Sequence, residues 1–250
     1  MDAIVESKPH HPPLVEPRAR VGLIIPSVNR MSEPQFNHFA PPGLAVHVAR
    51  ARITGPWRKP AVEMKDEIAR SAAALADSGP DLIVYHCTDS SMREGRAGER
   101  TLADIVREAT GIETVATSAL VAEALRALGM TSVVLLSPYL SNDVIVRFLA
   151  EHGVKVVADV ALKLNGHEYV AITPQRWLAL ARQHMRDDAD GVFLSCTNTT
   201  QIEAIEDIEL ALGKPAVNSN QAVLWGCVKR LAAKLGPLAP LPRLGRLMAV

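Results

Sequence analysis

The stretch PDLIVYHCTDSS (80–91) has a near-duplicate further along the chain, ADGVFLSCTNTT (189–200). Each is a short apolar run that reaches a Cys-Thr pair and then opens into a hydroxyl- and amide-rich loop. Apolar runs of this length between turn signals read as fully buried strands, and such strands belong to parallel sheets. A thiol at the same end of two equivalent strands points to one site built from two halves of the chain, with Cys87 from one half and Cys196 from the other.

Working outward from these runs, strands and helices alternate. RVGLIIP (20–26) predicts a strand. Apolar positions within 59–77 recur at helical spacing and stop at Ser78-Gly79-Pro80. The pattern then predicts a strand over 81–86, a helix over 97–109 ended by Gly111, a short strand over 113–116, and a helix over 120–128 capped by Ser118 and closed by Gly129. In the second half, strands are expected over 132–137, 154–160, 191–195 and 215–217. The helices between them are capped by Ser141, opened by Thr173-Pro174, and predicted over 199–212 and 221–234.

This order predicts βαβ units, and the halves repeat. Cys87 follows the strand-ending Pro26 by 61 positions, and Cys196 follows Pro138 by 58. The expected fold is α/β: two pseudo-symmetric Rossmann-like halves, each a mostly parallel four-stranded sheet flanked by helices, with the site in the cleft between them. The expected division is a flexible arm over 1–19, a first half over 20–117 plus 219–250, and a second half over 118–218.

Lys+Arg and Asp+Glu both number 27, so the formal charge is zero and lacks the basic excess of a nucleic-acid partner. Three widely spaced cysteines read as free thiols of a reducing compartment. No apolar run reaches the roughly 18 residues a membrane span needs, and the N-terminus lacks a signal-peptide core. A soluble cytoplasmic protein is expected. No glycine-rich nucleotide motif occurs, and the histidines show no metal-ligand spacing, so neither a cofactor nor a metal is expected.

Ligands of parallel α/β sheets gather at the carboxyl ends of the strands, where Asn29, Cys87, Tyr139 and Cys196 all fall. The loops after the cysteines lead toward helix N-termini, which hold carboxylates and favour thiolate over thiol. Cys227, inside VLWGCVKR, reads as core. His86 should point away from Cys87, across the strand. Asp89 reads equally as a loop cap or a site residue.

These motifs resemble the aspartate/glutamate racemase superfamily, and within it the maleate cis-trans isomerase branch, over about 20–230. Cys87-Thr88 and Cys196-Thr197 match its two-cysteine pattern. Pro26-Ser27-Val28-Asn29, followed by Glu33-Pro34, is similar to the branch's opening stretch, and Tyr139 and Asn165 to its tyrosine and asparagine. The related arylmalonate decarboxylases keep only the second cysteine, and Cys87 argues against that outcome. The resemblance implies a cofactor-independent isomerase of maleate or a similar small dicarboxylate. A racemase or decarboxylase of a small carboxylic acid is the alternative, and a non-catalytic binding protein a third reading.

In the isomerase reading Cys87 is the nucleophile and Cys196 the acid/base. Ser27, Asn29, Thr88, Tyr139, Asn165, Thr197 and Asn198 bind substrate. Two departures stand out: His86 and Asp89 flank the first motif. Asp89 puts a negative charge where a dicarboxylate is expected, so either it points away or the substrate is not maleate. A homodimer or homotetramer is expected, with the tail LAPLPRLGRLMAV as a subunit contact or, equally, a wrap over its own chain.

Overall fold

The computed structural model describes residues 16–238, 241 and 243–250. Most of the arm expected over 1–19 therefore lies outside the described residues. Eight strands form two sheets of one design. In the first, β1 (Ala19–Pro26), β2 (Leu44–Ala51), β3 (Leu82–Tyr85) and β4 (Thr114–Ala116) lie in the order β2-β1-β3-β4. In the second, β5 (Ser132–Ser137), β6 (Lys155–Ala161), β7 (Gly191–Leu194) and β8 (Ala216–Asn218) repeat it as β6-β5-β7-β8. Every pairing is parallel, which makes this the expected α/β fold.

Helices α1 (Ser32–Phe39), α2 (Lys65–Ala76), α3 (Thr88–Met92), α4 (Gly95–Thr110) and α5 (Thr117–Ala127) accompany the first sheet along the chain. They are followed by α6 (Asp143–Glu151), α7 (Pro174–His184), α8 (Ile205–Leu212), α9 (Ser219–Arg230) and α10 (Ala232–Leu235). Thr173 caps α7 as expected, its side chain accepting from the Arg176 N–H.

The pattern reading misses β2 and α1. β2 is an edge strand whose central residues are half-exposed, and its sequence LAVHVARA admits His and Arg where a buried strand would not. Ser118 is not a cap. Helix α5 starts at Thr117, three residues earlier than expected, so Ser118 lies inside it and its N–H is satisfied by the Ser91 hydroxyl at 3.2 Å. The helices expected over 59–77 and 199–212 each open with a 3₁₀ turn, at Ala61–Met64 and Gln201–Ala204.

Alternation along each strand sorts side chains onto two faces. On β3, Leu82 and Val84 enter one core cluster while Ile83 and Tyr85 enter the other. The alternation continues past the strand, so Cys87 follows Tyr85 and His86 turns the opposite way. Helices α5 and α9 sit between the halves and feed both cores: Leu120 and Val223 pack in the first, Val121 and Trp225 in the second. They cross at Gly226, where a Cβ would come within 2.5 Å of a Leu120 methyl. The described part of the C-terminal tail wraps its own chain. Leu244 and Leu247 are fully buried, and the Trp225 indole donates to the Val250 carbonyl.

Candidate active site

Both cysteines open into one cleft of about 930 Å³ at the carboxyl ends of the strands. Cys87 occupies the cap position of α3 and is 5 % exposed; Cys196 follows β7 and is 4 % exposed. Each sulfur sits at the cleft floor with its body in the core. The helix-terminus argument predicts lowered thiol pKa values, but burial outweighs it. Desolvation, then the Asp89 charge, pushes Cys87 up to about 11, while Ser90 and the Arg58 charge pull the other way. Desolvation pushes Cys196 up to about 12, against the hydrogen bond from the Asn198 N–H (3.3 Å) and the pull of the nearby Tyr139 hydroxyl.

Ser27, Asn29, Tyr139, Thr197 and Asn198 all line the cleft. Tyr139 is half-buried, its ring edge-on to Tyr169 at 5.9 Å, and desolvation raises its hydroxyl pKa well above the ordinary value. Asn29 faces the cleft with its amide already engaged. Its Nδ2 donates to Ser32 Oγ (2.9 Å) and to the oxygens of Thr197 (3.1 and 3.2 Å), and its Oδ1 accepts from the N–H groups of Met31 and Ser32. It clamps the loop after β1 to the Cys196 loop, where the resemblance implies a carboxylate ligand.

Two expected site residues lie elsewhere. Thr88 is buried behind the floor, in the first turn of α3, and its hydroxyl has no partner among the described residues. Asn165 is exposed, with its main-chain N–H and Nδ2 both donating to Glu168 at 2.8 and 3.2 Å. Its loop presents Gly166, His167 and Tyr169 to the cleft instead.

His86 is a core residue, fully buried and turned from the cleft as expected. Its ring nitrogens lie 3.0 Å from Thr117 Oγ1 and 3.0 Å from Asn220 Oδ1, and burial lowers its pKa to about 3, so it is neutral. Asn220 in turn donates to the Thr197 carbonyl at 3.1 Å. The residue before one cysteine thereby holds the residue after the other.

Asp89 does not point away. It lines the cleft beside Cys87, but Arg93 Nη2 donates to both its oxygens (2.6 and 2.9 Å), and Arg58 Nη2 lies 3.0 Å from Oδ2. The feared repulsion of an anion is therefore offset by two guanidinium groups. Across the cleft lining, Arg30, Arg50 and Arg58 face only Glu33 and Asp89 as carboxylates, so the cleft is positive. Pattern reading singled out none of these arginines. The signal available for Arg58 was its setting in GPWRKP, a turn holding an aromatic and a cation that no helix or strand would bury.

A duplicated parallel α/β fold with one thiol at the matching strand end of each half defines a protein with a two-cysteine cleft. The chain belongs to the arylmalonate decarboxylase family, whose profile matches residues 22–239. It is 31 % identical to arylmalonate decarboxylase of Bordetella bronchiseptica over 187 residues, 73 % of this chain and 77 % of that one. It is 26 % identical to maleate isomerase of Nocardia farcinica over 243 residues, 92 % of this chain and 95 % of that one. A solved cysteine-to-serine mutant of the Nocardia farcinica maleate cis-trans isomerase, holding a covalently bound succinylcysteine intermediate, superposes with a TM-score of 0.76 at 22 % identity, covering 92 % of this chain and 98 % of that one. Among the described residues no helix is long and apolar enough to cross a membrane.

Proposed function

We propose that this chain is a cofactor-independent cis-trans isomerase of maleate or a similar small unsaturated dicarboxylate, acting through a covalent adduct on Cys87. The observation that carries the reading is the pair of thiols on one positive cleft, with Tyr139 on the same lining. The Cys87 thiolate forms a C–S bond to one alkene carbon, and the displaced π electrons take a proton from the Cys196 thiol at the neighbouring carbon. The former double bond is now single and turns. Cys196, as thiolate, recovers the proton while the C–S bond breaks, releasing the trans alkene and regenerating the Cys87 thiolate. Nothing is oxidised or reduced.

Both sulfurs rest as thiols, so the reactive Cys87 thiolate is a minor species favoured by Ser90 and the Arg58 charge. Charge that develops on the carboxylate is met by main-chain N–H groups after the cysteines and by the Tyr139 hydroxyl. The succinylcysteine in the Nocardia farcinica protein supports an adduct of this kind. The test is conversion of maleate to fumarate by the purified chain, abolished in both Cys87→Ser and Cys196→Ser. A wild type inert on maleate would remove the substrate assignment.

One observation favours a second reading, decarboxylation: the 31 % identity to arylmalonate decarboxylase. Carbon dioxide release from a malonate, with deuterium entering the product in heavy water and no alkene isomerisation, would select it.

A further inference from the structure

We infer that Arg58, aimed by Asp89, is the residue that selects the substrate's second charge: the guanidinium takes an anionic group, and a neutral amide or ester in its place is discriminated against. This rests on the reading of the cleft as a carboxylate site and adds a specificity-determining residue that the two cysteines and their loops do not supply.

The geometry argues it in three steps. First, Asp89 is not free to read the ligand. Its side chain is 16 % exposed, and both its oxygens already accept from Arg93, with Arg58 on Oδ2 as well. Second, two guanidinium groups against one carboxylate leave a net positive charge, and only one of the two faces the ligand. Arg93 lies outside the cleft lining, whereas Arg58 lines it and is 42 % exposed. Third, the ion pair with Asp89 engages only Nη2 of Arg58, and no other hydrogen bond holds this side chain among the described residues, which leaves donors of its five-donor fork for a ligand in the cleft it lines. A carboxylate matches that fork in both shape and charge; an amide offers one acceptor and carries donors that the fork repels.

The placement is also close to the reacting atom. Asp89 is two residues past Cys87, and the Arg58 charge acts on the Cys87 sulfur. Arg58 follows the short turn Gly55–Trp57, which buries none of its own residues and has the Arg52 guanidinium stacked 5.3 Å over Trp57, while Asp89 is the contact that ties the Arg58 side chain itself to the site. A purely structural role, in which the ion pair only pins the turn, is the competing account.

Protection of Cys87 from iodoacetamide by unreactive acids separates the two, and needs no turnover. Succinate carries two charges and succinamate one, with nearly the same shape. In the wild type, half-protection near neutral pH is expected at a concentration about tenfold or more lower for succinate. Arg58→Gln should weaken succinate by a similar factor and leave succinamate within about twofold, and Arg58→Lys should restore part of the difference. Equal loss for both acids in Arg58→Gln, or a wild type that prefers succinamate, overturns the inference. Failure to isomerise maleate would instead remove the proposed reaction while leaving this comparison readable.

Discussion

Tyr139 and Cys196 line the same cleft, Tyr139 just past the end of β5 and Cys196 just past the end of β7. This brings a hydroxyl donor to the charge that develops beside the acid/base sulfur. Tyr139→Phe keeps the ring against Tyr169 and removes only the donor. Turnover of maleate should fall by roughly 10²–10³ in kcat, the cost of losing one preorganised donor. Steady-state kinetics decide it: a change confined to KM would show that Tyr139 binds but does not assist.

The two cysteines have unequal roles, and serine substitution should separate them. Cys196→Ser incubated with maleate should accumulate an adduct on Cys87, seen by intact-mass spectrometry as the gain of one maleic acid. Cys87→Ser should gain nothing, and each should lose roughly 10³ or more in turnover. Labelling of Cys196 in the Cys87→Ser protein would reverse the assignment.

Burial pushes the Cys87 thiol to about 11, and thiolate is the form that reacts. Below that value the thiolate fraction rises about tenfold per pH unit. Alkylation of Cys87 by iodoacetamide in the ligand-free protein should therefore climb with pH through the neutral and moderately alkaline range without levelling. A plateau near neutral pH would mean that the sulfur is held as thiolate in the empty cleft.

His86 is neutral in the fold with a pKa near 3, whereas in the unfolded chain its value returns to about 6.5. Between these values the unfolded state binds the extra proton, so this residue's contribution to stability is present above about 6.5 and lost as pH falls toward 3. The slope is on the order of 1 kcal/mol per pH unit. Denaturant titrations across that window should show a shallower dependence in His86→Gln than in the wild type, whatever the variant's stability at neutral pH.

Much of this architecture is legible in the chain because buried parallel strands and glycine-ended helices leave strong local signals. β5 is bounded by its apolar run, and α7 by Thr173-Pro174. Edges are harder to read: β2 carries His47 and Arg50 because its outer side meets solvent, and its pattern is that of a loop. The same limit applies at the site. The cysteines, Tyr139 and the Thr197-Asn198 loop follow from strand ends, which topology brings together. Arg58 and Asp89 meet only through the path of a turn, and nothing in their spacing announces the pair. Asn29 faces the cleft as the motif implies, but its amide is already engaged by Thr197, a partner in the other half that local spacing does not reveal.

The clamp around Thr197 has a consequence for traffic through the cleft. Asn29, Ser32 and Asn220 all hold the Thr197 carbonyl, and the Gln35 amide holds that of Thr199 at 2.7 Å, every one of these side chains being buried. Parting the halves at this seam would break several buried hydrogen bonds together, each worth about 0.5–1.5 kcal/mol net. A hinge between the halves is therefore the expensive way to admit a ligand. The turn at Gly55–Trp57 lines the same cleft without contributing to this seam, so a ligand passing there would leave the clamp intact.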